Sequence, residues 1–152
     1  MPSRREFMRS AAGTMLTAMW TRELPVQAPQ PITVYKSKTC GCCTAWVDHL
    51  RSHGFSPVVH DRDPMDPVKD QLKVPGAVRS CHTAVAGAYL IEGHVPAGDI
   101  QRLLKERPKV MGLAVPGMPP GTPGMAQSEA EIGNFSVLAF QPDGSTRTFA
   151  AY

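Results

Sequence analysis

Cys40-Gly41-Cys42-Cys43 places three thiols within four residues, where a β-rich run hands over to a helical stripe. Ile32-Thr33-Val34-Tyr35 is β-branched and aromatic, and it ends in the polar stretch Lys36-Ser37-Lys38-Thr39. After the cysteines, Cys43, Trp46, Val47 and Leu50 fall at i, i+3, i+4 and i+7, the period of one buried helix face, and Gly54 is a natural stop. A strand that enters a helix through Cys40-x-x-Cys43 sets both thiols at a helix N-terminus, where free N–H groups and the helix dipole favour thiolates. This is the thioredoxin-type arrangement for disulfide exchange.

The remaining chain supports that order. Phe55 to His60 reads as a second strand, and Asp66-Pro67 supplies an N-cap and a first-turn proline for a brief helix through Lys73. Thr83 to Val85 and Tyr89 to Ile91 are strands joined through Gly87, and Pro96 to Arg107 is a helix that buries Ile100, Leu103 and Leu104. A Pro/Gly-rich loop runs from Pro116 to Gly124. Phe135 to Phe140 and Thr146 to Phe149 flank Pro142-Asp143-Gly144, a hairpin signal. The expected fold is α/β: a thioredoxin-like mixed sheet with flanking helices, plus a C-terminal β-hairpin.

The fourth cysteine, Cys81, precedes the third strand and is followed by His82. In a thioredoxin-like fold the segment before that strand packs against the C-x-x-C turn, so all four sulfurs are expected to converge. Three readings compete. As a disulfide framework, a Cys40–Cys43 bond closes too small a loop to stabilise much, and only a bridge to Cys81 would be a useful staple. As a thiol–disulfide oxidoreductase, Cys40 attacks and Cys43 resolves, which leaves Cys42 and Cys81 without roles. As a metal site, four soft thiolates suit Cu(I), or zinc on ligand type alone, but the three-plus-one spacing fits zinc poorly. Cys42 and Cys43 are about 100° apart on the helix and do not readily aim at one ion, which suggests a small multinuclear copper–thiolate cluster.

The amino terminus reads as an address. Arg4-Arg5, Phe7 and a weakly apolar run from Ala11 to Trp20 resemble a bacterial twin-arginine export signal over residues 1–28, so that residues 29–152 form the domain and the location is the periplasm. Val26-Gln27-Ala28 has the small-residue form of a cleavage site, although Pro29 follows it. The segment carries four arginines and two glutamates, so its removal lowers a net charge of only +3 by a further two. That balance offers no nucleic-acid footprint. No stretch reaches the roughly 18 apolar residues of a spanning helix, so no membrane span is expected in the mature chain.

Secondary candidates are weaker ligands. Pro116-Gly117-Met118 recurs as Pro123-Gly124-Met125, and a soft thioether from Met118 or Met125 would suit Cu(I), although a rigid loop with apolar methionine plugs is the plainer reading. His82 neighbours Cys81 and is an auxiliary ligand or its hydrogen-bonding support. His49 and His53 are four apart on the first helix and read as half-buried or solvated. His94 is assigned to the turn before Pro96, His60 has no evident partner, and Trp46 is core.

Cys40-Gly41-Cys42-Cys43-Thr44-Ala45-Trp46-Val47, Ser80-Cys81-His82-Thr83, Ile91-Glu92-Gly93-His94-Val95-Pro96 and Gly112-Leu113-Ala114-Val115-Pro116-Gly117-Met118-Pro119 together resemble the CopG-type copper-resistance proteins. The resemblance runs from about Ile32 to Met125. It implies an exported, thioredoxin-like bacterial protein of copper or silver tolerance, whose copper-binding cysteines fall on Cys40, Cys42, Cys43 and Cys81. It also implies copper ions and periplasmic copper-handling proteins as partners. A copper- or thiol-dependent oxidoreductase activity is proposed for such proteins and stays open here.

Overall fold

A computed structural model describes residues 28–152, so the export-signal reading lies, apart from Ala28, outside the described residues. The chain forms β1 (Gln30–Lys36), α1 (Gly41–Ser52), β2 (Phe55–Asp61), α2 (Asp66–Gln71), a 3-10 turn (Gly76–Val78), β3 (Thr83–Ala86), β4 (Tyr89–Glu92), α3 (Ala97–Glu106), β5 (Gly112–Ala114), a second 3-10 turn (Glu129–Glu131), β6 (Ser136–Phe140) and β7 (Thr146–Ala151). One seven-stranded sheet runs β2-β1-β3-β4-β5-β6-β7. β1 and β2 are parallel and joined through α1, β3 is antiparallel to β1, and β4 is antiparallel to β3. This is the thioredoxin-like core that the strand–helix order implies. β4 and β5 are parallel across the α3 connection, after which β6 and β7 extend the same sheet as an antiparallel hairpin. Among the described residues no helix is long and apolar enough to cross a membrane.

Alternation along the strands divides the core between the two faces of the sheet. Ile32, Val34, Ile91, Leu113 and Ala139 pack with Trp46, Val47 and Leu50 of α1 and Ile100 and Leu103 of α3. Leu90, Ala114 and Phe140 point the other way, against Val74 and Val78 near α2. Trp46 is fully buried, as expected of core, and its Nε1 donates to the Val95 carbonyl at 2.8 Å.

The structure corrects several local expectations. β5 is not among the strands expected from the sequence, yet it is the strand that ties the C-terminal hairpin to the core. Gly112 is required there, because a Cβ would sit 1.9 Å from the Leu90 carbonyl oxygen. Asp66 is the first residue of α2 rather than its N-cap, a position held by Met65 without a side-chain bond. Leu104 is only partly buried, and Asp99 takes a place on the buried face of α3. His60 finds a partner in Tyr35, with rings stacked at 5.4 Å.

Candidate metal centre

β1 and β3 are antiparallel neighbours with Tyr35 opposite Thr83, so the C-terminal end of β1 and the N-terminal end of β3 share one edge of the fold. The Cys40–Cys43 turn follows the first and Cys81 precedes the second. That topology brings the sulfurs of Cys40, Cys42, Cys43 and Cys81 within 4.8 Å of one another. Cys40 is the N-cap of α1 and its Sγ accepts from the Cys43 N–H at 3.3 Å. Cys40 and Cys43 are joined as a disulfide, while Cys42 and Cys81 are free and half-buried. Cys42 Sγ lies 3.4 Å from Cys40 Sγ.

Cys81 also has two imidazoles for neighbours, His82 Nδ1 and His94 Nε2, each 3.2 Å from its Sγ. His94 is therefore not merely a turn residue. It is fully buried, and its Nδ1 donates to the Pro123 carbonyl at 2.7 Å, so its Nε2 faces Cys81 with a lone pair. The hairpin register brings it there. Thr83 pairs with Glu92 and Ala86 with Tyr89, and two more steps along this ladder set position 81 opposite position 94. Reading Gly87-Ala88 as a two-residue turn between the expected strands gives the same pairing. His82 is fully buried against Trp46, with ring centroids 4.3 Å apart, and its Nε2 has no hydrogen-bond partner among the described residues. Burial, reinforced by nearby Cys42, pushes the Cys81 thiol up to about 11.

A buried polar network fixes the segment that carries Cys81. Glu92, fully buried, accepts from the Ser80 N–H at 2.7 Å and from the Thr83 hydroxyl at 2.6 Å, and it pairs with the buried ammonium of Lys69. Lys69 also donates to Thr83 Oγ1 at 2.9 Å. Ser80 Oγ in turn donates to the Gly117 carbonyl at 2.6 Å, which anchors the loop after β5 beside Cys81. Met118 follows that anchor directly and is 52 % exposed, while Met125 is half-buried. Further along the loop, Gly124 has φ +87°, and a Cβ there would sit 2.7 Å from Cys42 O and from Trp46 N. Gly124→Ala is expected to lift the loop from α1 and to destabilise the fold by roughly 1–3 kcal/mol, measured by urea unfolding.

His49 and His53 form a separate cluster with Glu129. His49 Nδ1 donates to Glu129 at 3.1 Å, while its Nε2 accepts from the Ala97 N–H at 3.1 Å. That second bond engages the other ring nitrogen, so the triad works as a latch between loop and helices.

Burial, then the neighbouring His94, holds the His82 imidazole well below its ordinary 6.5, and burial lowers His94 and His49 as well. As pH falls through 6.5 the unfolded chain takes up protons that folded His82 refuses, so stability falls with acidification. His82 alone is expected to remove about 1 kcal/mol between pH 6.5 and 5.5. Urea unfolding across that range checks the slope, which His82→Gln should flatten.

A family model described as "Protein of unknown function, DUF411" matches residues 78–125, which span Cys81, His82, His94 and the covering loop. The solved structure titled "Copper resistance protein copG- Form 1" is 39% identical, with a TM-score of 0.72, over 82% of this chain and 98% of that one. "Copper resistance protein copG- Form 2" is 40% identical, with a TM-score of 0.73 and the same coverage. No curated protein matches the chain. Identity at this level across nearly the whole of both solved chains, on the same fold, shows that the chain belongs to the CopG copper-resistance family.

Proposed function

We propose that this protein binds copper, holding Cu(I) in a multinuclear thiolate site made by Cys40, Cys42, Cys43 and Cys81, with His82 and Met118 as auxiliary ligands. It acts in copper homeostasis and resistance, silver tolerance included. Its place is the periplasm, reached through the twin-arginine signal over residues 1–28, where it exchanges copper with other copper-handling proteins. The observation that carries this reading is the convergence of four sulfurs within 4.8 Å, three from the N-cap and first turn of α1 and one from the segment before β3. Soft thiolates in a half-buried pocket match the preference of Cu(I). The Cys40–Cys43 disulfide must first take up two electrons and two protons from a thiol reductant, which frees both sulfurs as ligands.

Elemental analysis tests the reading on protein reduced anaerobically, loaded with Cu(I) and challenged with a soft chelator. More than one copper retained per chain supports it, and none retained overturns it.

The Cys40–Cys43 disulfide itself favours a second reading, a thiol–disulfide oxidoreductase in which any metal is incidental. Alanine at Cys42 and Cys81 separates the two. Dithiol turnover through Cys40 and Cys43 survives that change, whereas copper retention collapses.

A further inference from the structure

Two ligand sets meet at Cys81. One is the four-sulfur group, and the other joins Cys81 to His82 and His94, again with all ligand atoms within 4.8 Å of one another. The disulfide removes Cys40 and Cys43 from the first set and leaves the second untouched, with Cys42 still free beside it. We infer that the disulfide form carries its own site for a single divalent cation, built from Cys81, His82 and His94 with Cys42 as fourth ligand.

The geometry fits such an ion. With metal–sulfur bonds near 2.3 Å and metal–nitrogen bonds near 2.0–2.1 Å, a tetrahedral site sets sulfur and nitrogen about 3.6 Å apart and two sulfurs about 3.8 Å apart. Both imidazole nitrogens lie 3.2 Å from Cys81 Sγ, so an outward shift of a few tenths of an ångström seats the ion. Cys42 Sγ is within 4.8 Å of Cys81 Sγ and closes inward by up to about 1 Å.

The imidazoles are prepared for this. The Pro123 carbonyl holds the Nδ1–H of His94, the outer-sphere hydrogen bond that orients a histidine ligand and leaves the other nitrogen for metal. His82 is fully buried with its ring packed on that of Trp46, and its Nε2, without a partner among the described residues, carries the ring proton once Nδ1 binds. Two thiolates and two imidazoles suit Zn(II) and its spectroscopic substitute Co(II) better than a multinuclear Cu(I) cluster. The oxidation state of one disulfide thereby selects which class of cation the protein holds.

The inference rests on the copper reading only in reusing Cys42, Cys81 and His82. The two are tested on different redox forms with different metals, so each can fail alone.

The experiment is a Co(II) titration of the purified protein in its disulfide form, verified by two free thiols per chain. The expected result is one Co(II) per chain, with thiolate-to-metal charge-transfer absorption and mixed sulfur/nitrogen ligation by X-ray absorption. His94→Ala should weaken binding at least tenfold, while His53→Ala, in the separate surface cluster, leaves it unchanged. Cys40→Ser/Cys43→Ser, which removes the disulfide pair altogether, should still bind one Co(II). Absence of Co(II) uptake by the disulfide form, or ligation by nitrogen and oxygen alone in the unmutated protein, overturns the inference. So does binding lost with His53→Ala.

Discussion

Cys81→Ala is expected to abolish stable Cu(I) retention by the reduced protein, with the number of coppers surviving a soft chelator falling to none. Cys81 is the one member of the sulfur cluster that does not come from α1 or its N-cap, so its loss opens the site on an entire side. Losses of outer-sphere support alone cost about 10–100-fold in metal affinity, and a direct ligand shared between ions costs more than that. Chelator competition followed by elemental analysis reads the effect, and circular dichroism shows that the variant is folded. Cys81→Ser, which keeps a hydroxyl between the two imidazoles, controls for the packing of His82 and His94. Unchanged copper retention in either variant would place Cys81 outside the site.

The second large effect concerns Glu92. Glu92→Ala leaves the Lys69 ammonium, only 3 % exposed, without its carboxylate, and leaves the Ser80 N–H without its acceptor. Breaking one partner of a buried ion pair costs about 3–5 kcal/mol, a large share of the roughly 5–15 kcal/mol that holds a domain folded. Urea unfolding is expected to show a loss of that size. Lys69→Met/Glu92→Leu removes both charges together, and its stability is expected within about 1–2 kcal/mol of the parent because no ion is left buried alone. Copper retention should nonetheless drop in the double variant, since Ser80 and with it Cys81 lose their tether. A double variant as unstable as Glu92→Ala would show that the network contributes more than ion pairing.

Most of the core and the sulfur cluster were legible in the sequence, the first from local spacing and the second from strand order. The α1 stripe of Cys43, Trp46, Val47 and Leu50 is buried as its period implies. The four cysteines meet because strand order alone places Cys81 beside the first turn of α1. β5 was not legible: three residues, Gly112–Ala114, carry no period, and the glycine that opens them is there for the backbone of β4 rather than for a turn. His94 was missed for a different reason. Its partner is set by the two-residue β3–β4 turn, and only by counting back along that ladder does position 94 arrive at position 81. The Lys69–Glu92 pair had no local signature, since 23 residues separate two charges that each look solvent-facing in sequence.

The segment between β5 and β6 leaves and re-enters two strands that are hydrogen-bonded to each other, and its own base is closed where the Gly133 N–H donates to the Gly121 carbonyl at 2.9 Å. Its anchorage is thus independent of its length. Doubling such a loop costs only about 0.6 kcal/mol in closure entropy, so residues can be inserted or exchanged near its tip while the sheet stays intact. The stretch that holds the Pro123 carbonyl against His94 and Gly124 against α1 must stay, whereas the tip beyond it is a replaceable module on a fixed frame. Chimeras that swap only that tip between members of the family alter the surface around the site without rebuilding the site itself.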